Sequence, residues 1–201
     1  MKAQTRARSV STTNNKLACF VVMKIDALTV MEQQLRSRVD SVEGLMEEKH
    51  EKLQRSGVYR EYGRIYEAYV ELIESESEGL EALKRAVFLC WYHSTEPSCF
   101  SGILDLPEIT SLKVFEALER RIEAGELDSE LKWMLPYYNT VENAVFSLYA
   151  RLPHTQSFLA EANPDIWPRV GIKVEQFMNR GQMGDYWESI IKTQAKNRLS
   201  R

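Results

Sequence analysis

The spacing of large apolar residues constrains this chain more than any other feature of its sequence. From Asp26 onward, apolar side chains recur every three or four positions over most of the chain, and no segment alternates apolar and polar residues for long. A period of three to four is that of a helix that buries one face, whereas alternation would indicate strands. The pattern therefore predicts an all-α fold, which we expect to be a single-domain irregular bundle of about six or seven helices over residues 25–201.

Start and stop signals divide this pattern into separate helices. The first helix is expected over 26–57, where a Ser-Gly pair ends it, and the second over 58–74. Clustered breakers predict one loop at 136–139 and another at 180–184. The other predicted helices begin near Leu80, Pro107, Asp128, Thr140, Val174 and Asp185, with a further turn of helix at 156–162.

Charge is distributed unevenly along the chain. The first 24 residues carry five basic residues and no acid, and the last ten carry four basic residues and no acid, although the whole chain has 26 Lys and Arg against 29 Asp and Glu. The segment between the two ends is therefore acidic, which opposes binding to nucleic-acid phosphates. We expect a disordered basic tail over residues 1–24, no nucleic-acid partner, and a basic surface on any protein partner.

The cysteine count and the hydropathy narrow the class of protein further. Three cysteines cannot close a disulfide framework, and an odd number is typical of a reducing compartment. No apolar run approaches the ~20 residues that cross a membrane. The apolar run Leu17–Met23 is short for a signal peptide and has no small-residue cleavage pattern after it. The sequence therefore predicts a cytoplasmic protein without membrane contact.

The histidines do not form a metal-binding motif. No H-E-x-x-H and no paired C-x-x-C is present. Glu47 and His50 make one Glu-x-x-His unit, whereas a di-iron bundle needs two, and neither His93 nor His154 supplies the second. We therefore expect no metal and no cofactor. A phosphate-binding glycine loop and a nucleophile elbow are missing from the sequence as well, so we assign no catalytic residue.

A stripe of tyrosines is the first candidate for a functional surface. Tyr59, Tyr62, Tyr66 and Tyr69 recur at spacings of three and four on the second predicted helix. Such a stripe is a packed seam when another helix covers it, or a recognition face when it is exposed. An exposed face predicts a non-enzymatic protein that acts as an inhibitor, immunity or adaptor protein through an acidic, tyrosine-rich surface. The long first helix also permits pairing with a second copy, as in a homodimer.

The second candidate is a set of aromatic and polar residues next to predicted helix ends. If these ends converge, the set forms an aromatic corner that binds a small molecule or holds an active site. Otherwise the rings fill gaps between short helices. His93, Glu96 and Cys99 are the Cys-His-carboxylate group closest together in the sequence, and they belong to this set. Its members are Trp91–His93, Glu96, Cys99, Trp133, Tyr137, Tyr138, Asn139, Trp167, Arg180, Tyr186 and Trp187.

Overall fold

The computed structural model describes residues 23–148, 151–162 and 172–199, and in these ranges it contains ten α-helices, one 3-10 helix and no strand. The all-α prediction is confirmed, although the helices are shorter and more numerous than expected. Residues 1–22 of the predicted tail and Trp167 of the aromatic corner lie outside the described residues. The helices are α1 (Ile25–Asp40), α2 (Met46–Arg55), α3 (Val58–Leu72), α4 (Gly79–Thr95), α5 (Ser98–Ser101), α6 (Glu108–Glu123), α7 (Ser129–Val141), α8 (Ala144–Leu148), α9 (Pro153–Glu161), the 3-10 helix Val174–Phe177, and α10 (Gly181–Leu199).

The predicted first helix is in fact two helices joined by a turn. α1 ends at Asp40 and α2 begins at Met46. Between them, Gly44 has a φ of +129°, which residues with a side chain rarely adopt. The apolar spacing continues across the turn through Leu45 and Met46, so periodicity alone does not reveal it. Both of these side chains are exposed in the structure.

Two predicted loops are wrong because helices continue through their breakers. α7 runs through Pro136 to Val141, and α10 begins at Gly181 rather than at Asp185. A proline inside a helix removes one backbone donor. Leu135 and Tyr138, on either side of it, are buried, and their packing offsets that loss. Tertiary contacts here outweigh local propensity.

α4 is the central helix of the described structure. Every residue from Ala82 to Trp91 is buried, as expected for a helix enclosed on all sides. α3 packs between α1 and α4, while α6 and α10 each pack against α4. The buried stretch includes Lys84 and Arg85, whose charges require partners inside the fold. In the described ranges, no helix has both the length and the apolar composition needed to cross a membrane.

Candidate functional site

Five members of the predicted aromatic corner, Trp91, Trp133, Tyr137, Tyr138 and Trp187, pack together in one cluster. The ring centroids of Trp91 and Tyr138 lie 4.5 Å apart, those of Trp133 and Trp187 4.6 Å, and those of Tyr137 and Trp187 4.8 Å. Trp91 donates its indole N–H to the carbonyl oxygen of Tyr138, and Trp187 donates its indole N–H to the Tyr138 hydroxyl, each at 3.0 Å. All of these rings are buried except the half-buried Tyr137. The aromatic cluster is therefore part of the core.

Arg180 lies beside the aromatic cluster, but it forms ion pairs with carboxylates. Its guanidinium pairs with Glu81 of α4 and, at 2.8 Å, with Glu130 of α7, and it lies 5.3 Å from the centre of the Phe177 ring. Burial acts to lower the pKa of Arg180, but the hydrogen bonds to both carboxylates raise it overall. Glu130 also accepts a hydrogen bond from Lys84 at 2.6 Å. Arg180 therefore joins α4 and α7 to the start of α10.

The predicted Cys-His-carboxylate group is not assembled. Cys99 is buried on α5, while His93 is exposed near the end of α4 and Glu96 follows that helix half-buried. Among the described residues, no hydrogen bond joins the Cys99 thiol to either of them. Cys90 is buried too, and burial raises the pKa of its thiol to about 11, which keeps it protonated at neutral pH. Asn139 is half-buried on α7.

The tyrosine stripe is a packed seam and not an exposed face. Tyr66 donates a hydrogen bond to Ser111 of α6 at 3.0 Å, and Tyr69 donates one to Glu32 of α1 at 3.2 Å. These bonds satisfy the hydroxyl groups inside the core. The interface that we predicted on this stripe is therefore corrected: Tyr59, Tyr62, Tyr66 and Tyr69 are all buried.

Glu32 is a buried carboxylate that the sequence analysis missed. It accepts hydrogen bonds from the Tyr69 hydroxyl and, at 3.2 Å, from the backbone N–H of Gln182 at the start of α10. Burial raises its pKa to about 7, although Arg85 and these hydrogen bonds act to lower it. The signal was present in the sequence, because Glu32 lies four residues after Leu28 and so falls on the apolar face of α1.

The surroundings of Glu32 combine tight packing with unpaired polar atoms. A Cβ at Gly181 would lie 1.4 Å from Glu32 Oε2, so a glycine is required there. Within the described residues, Glu32 Oε1, the Tyr62 hydroxyl and Gln182 Oε1 are buried without a hydrogen-bond partner. Unpaired polar atoms of this kind are costly in a core. Protonation of Glu32 turns one of its carboxylate oxygens into a donor, so the hydrogen bonding of this part of the core depends on the protonation state of Glu32.

His93 and Glu96 line an open depression of about 330 Å³ at the end of α4. Partial loss of water lowers the pKa of His93, and the nearby Asp105 opposes that effect. Ser98, on the same depression, lies 3.3 Å from Nδ1 of His50. The same nitrogen lies 3.1 Å from the Tyr59 hydroxyl, so Ser98 does not have a base of its own. The arrangement can bind a polar group but does not resemble a nucleophilic site.

Large aliphatic side chains are exposed around a groove of about 500 Å³ between α6 and the segment that leads into α9. Ile109 is 75% exposed, Leu112 is 42% exposed and Leu148 is 79% exposed. Ile109 and Leu112 continue the apolar period of Phe115 and Leu118 on α6, and that period predicts one buried face. In the structure Phe115 and Leu118 are buried, whereas Ile109 and Leu112 are exposed. We call this surface the apolar groove: Ile109, Leu112, Leu148 and Leu152, with Glu108 and Arg151 at its rim.

Comparison of the chain with family models, with curated proteins and with solved structures finds no match. In the ranges that the structure describes, no group of three or more His, Cys, Asp and Glu side chains is placed to hold a metal ion.

Proposed function

We propose that this protein acts by protein–protein contact and that the apolar groove is its contact surface, covered by the same groove of a second copy. One observation supports the proposal: Ile109 and Leu148, both about three-quarters exposed, border the same groove. Contiguous exposed apolar patches commonly mark interaction sites in soluble proteins. Burying a side chain of this size contributes about 1.5 to 3 kcal/mol, so water strongly favours covering the groove.

The rim charges favour a second copy as the occupant. Glu108 and Arg151 lie at the rim of the groove, and neither has an ion-pair partner among the described residues. In a two-fold contact, residue i of one copy meets residue j of the other, and j meets i. A two-fold contact can therefore place Glu108 of each copy against Arg151 of the other, while the aliphatic residues between them meet their own equivalents.

The sequence also predicts two other functions, binding of a basic protein and chemistry or small-molecule binding in the aromatic corner. Binding of a basic partner by the acidic surface, as in an inhibitor, immunity or adaptor protein, stays a prediction that does not involve the tyrosine stripe. Catalysis in the aromatic corner loses its geometric support, because the rings that would form the corner pack against one another in the core. Binding of a small molecule is supported instead by a cleft beside α3.

The experiment is a measurement of molar mass against concentration for the full chain, by sedimentation equilibrium. We expect a dimer to form within roughly 1 to 100 µM, a range common for small interfaces. Leu148→Ser should leave a monomer, because it puts a hydroxyl in the centre of the contact. Leu45→Ser is the matched control, since Leu45 is 72% exposed on a different part of the molecule.

A charge exchange tests the arrangement of the two copies. Glu108→Arg or Arg151→Glu alone should weaken the dimer, because each puts like charges together across the contact. The double variant should restore it, since the opposite pairs form again in the reversed sense. A wild-type chain that stays monomeric, or single variants that dimerise as well as wild type, would overturn the proposal.

A further inference from the structure

A second concave surface lies between α3 and the loop that precedes α6, with a volume of about 430 Å³. Arg60 and Arg64, one helical turn apart on α3, line it together with Gly63, and Asp105 of the loop also lines it. Apart from its chain neighbours and the backbone of its own helix, no atom lies within 4 Å of the place where a Cβ of Gly63 would be, so the space between the two arginines is open. We call this surface the arginine cleft.

Neither arginine of the cleft forms an ion pair, unlike most of the other arginines in the described ranges. Among the described residues, no carboxylate lies within ion-pair distance of Arg60 or Arg64, although Glu67 is on the next turn of the same helix. An acidic protein offers many carboxylates, so two adjacent arginines without a partner are unusual here. Seven other arginines form ion pairs: Arg36, Arg38, Arg55, Arg85, Arg120, Arg121 and Arg180.

We infer that the arginine cleft binds the phosphate or carboxylate group of a small molecule through Arg60 and Arg64. The planar guanidinium group matches both oxyanions and can bind either through two parallel hydrogen bonds. The start of α6 adds to this preference. Pro107 is the residue that precedes this helix of 16 residues, and it lines the cleft, so the positive end of the helix dipole borders the bound anion.

The acidic residues of the cleft restrict the rest of the ligand. Glu67 and Asp105 line the same cleft as the two arginines, so the cleft has two positive and two negative side chains. A ligand with several negative charges would be repelled by the carboxylates. The cleft therefore fits a small molecule that carries one oxyanion group for the arginines and an amine for the carboxylates.

The experiment uses O-phosphoethanolamine and β-alanine as probes, which join an amine to a phosphate and to a carboxylate respectively. Each is titrated into the ¹⁵N-labelled full chain at low ionic strength, and amide chemical shifts are recorded. We expect saturable shifts at Gly63 and at the loop around Asp105 with at least one probe. The tighter probe identifies the oxyanion, and inorganic tripolyphosphate should bind more weakly than that probe because the carboxylates repel it.

Two pairs of substitutions separate binding in the cleft from general attraction to positive charge. Arg60→Gln with Arg64→Gln should weaken binding at least about tenfold, since both charge-assisted contacts are lost. Arg55→Gln with Arg120→Gln removes the same charge from exposed arginines elsewhere and should leave the affinity unchanged. All four arginines are exposed, so the spectrum of each variant should keep its dispersion. No saturable shift up to about 20 mM, or equal affinity in the two paired variants, would overturn the inference.

Discussion

The aromatic cluster and the apolar groove are both built from large apolar side chains, but they differ in whether their partners are present. In the aromatic cluster the rings cover one another, and the indole N–H groups of Trp91 and Trp187 both reach Tyr138. In the apolar groove Ile109 and Leu148 are exposed. The rim charges there are unpaired among the described residues as well. Residue type alone therefore does not distinguish a packed core from a candidate binding surface. The distinction comes from whether other side chains cover the apolar residues.

The largest effect is expected from Trp187→Ala in the aromatic cluster. This change removes a fully buried ring that contacts Trp133 and Tyr137. It should lower the free energy of unfolding by about 3 to 5 kcal/mol, as for other large-to-small core changes. Denaturant unfolding of the monomer measures it, at a concentration below that of dimer formation.

Leu148→Ala is the counterpart in the apolar groove. It should change the free energy of unfolding of the monomer by less than about 0.5 kcal/mol, as is usual for surface positions. A loss comparable with that of Trp187→Ala would mean that Leu148 belongs to the core, and the comparison between the two regions would fail.

The next effect is expected from Arg180→Met, which removes the charge beside the aromatic cluster and keeps much of the side-chain volume. Glu81 and Glu130 would then be left partly buried without this partner. Breaking a buried ion pair is strongly destabilising, and with the partial exposure of both carboxylates we expect a loss of about 2 to 3 kcal/mol. Thermal and denaturant unfolding measure it.

Arg120→Met provides the control for that measurement. Arg120 pairs with Glu74 at 2.7 Å, but both side chains are more than half exposed. Solvent screens such pairs, so the free energy of unfolding should change by less than about 1 kcal/mol. Equal losses in the two variants would show that the Arg180 network does not contribute more than a surface pair.

A pH-dependent effect of comparable size is expected from Glu32→Gln. The pKa of Glu32 is about 7 in the folded chain and lies near its usual value of 4.5 when the chain is unfolded. The folded state therefore binds the proton more tightly, and stability falls as the pH rises from 4.5 to 7. The full contribution is on the order of 3 kcal/mol. Gln cannot ionise, so the variant should lack this fall and be more stable than wild type at about pH 8.

Unfolding curves of wild type and Glu32→Gln across this pH range give the difference that isolates Glu32 from other titrating groups. Glu116→Gln is the matched control, because Glu116 is exposed on α6. It should keep the pH dependence of the wild type. A wild-type slope that Glu32→Gln does not change would show that the carboxylate does not titrate in this range.

Much of the fold is predictable from the sequence. Burying one face of a helix requires apolar residues every three or four positions, and this spacing stays recognisable even when single residues depart from it. The period identified α3 and α4. It did not find the turn at Gly44, because the apolar spacing continues across it, or the helix through Pro136, which depends on packing from α4 and α10. The period also does not distinguish the exposed Ile109 from the buried Phe115, which lie on the same face of α6. Which of the two is buried depends on elements that are distant in the sequence.

The candidate sites were predicted less well, for a related reason. The sequence placed the aromatic residues beside loops at 136–139 and 180–184, where the structure has helix instead, yet several of their rings do converge. Whether converging rings form a cleft or a core depends on their volumes and on hydrogen bonds such as that from Trp187 to Tyr138. The sequence does not reveal the arginine cleft. An arginine is unpaired only when no carboxylate lies near it in the folded structure, and the sequence alone does not give those distances.

The most direct test of the central claim is the molar mass of the wild-type chain and of Leu148→Ser, measured by sedimentation equilibrium over the same concentrations. We expect wild type to change from monomer to dimer as the concentration rises, while Leu148→Ser stays a monomer and Leu45→Ser behaves as wild type. A wild-type chain that is monomeric throughout, or a Leu148→Ser chain that dimerises equally well, would contradict it.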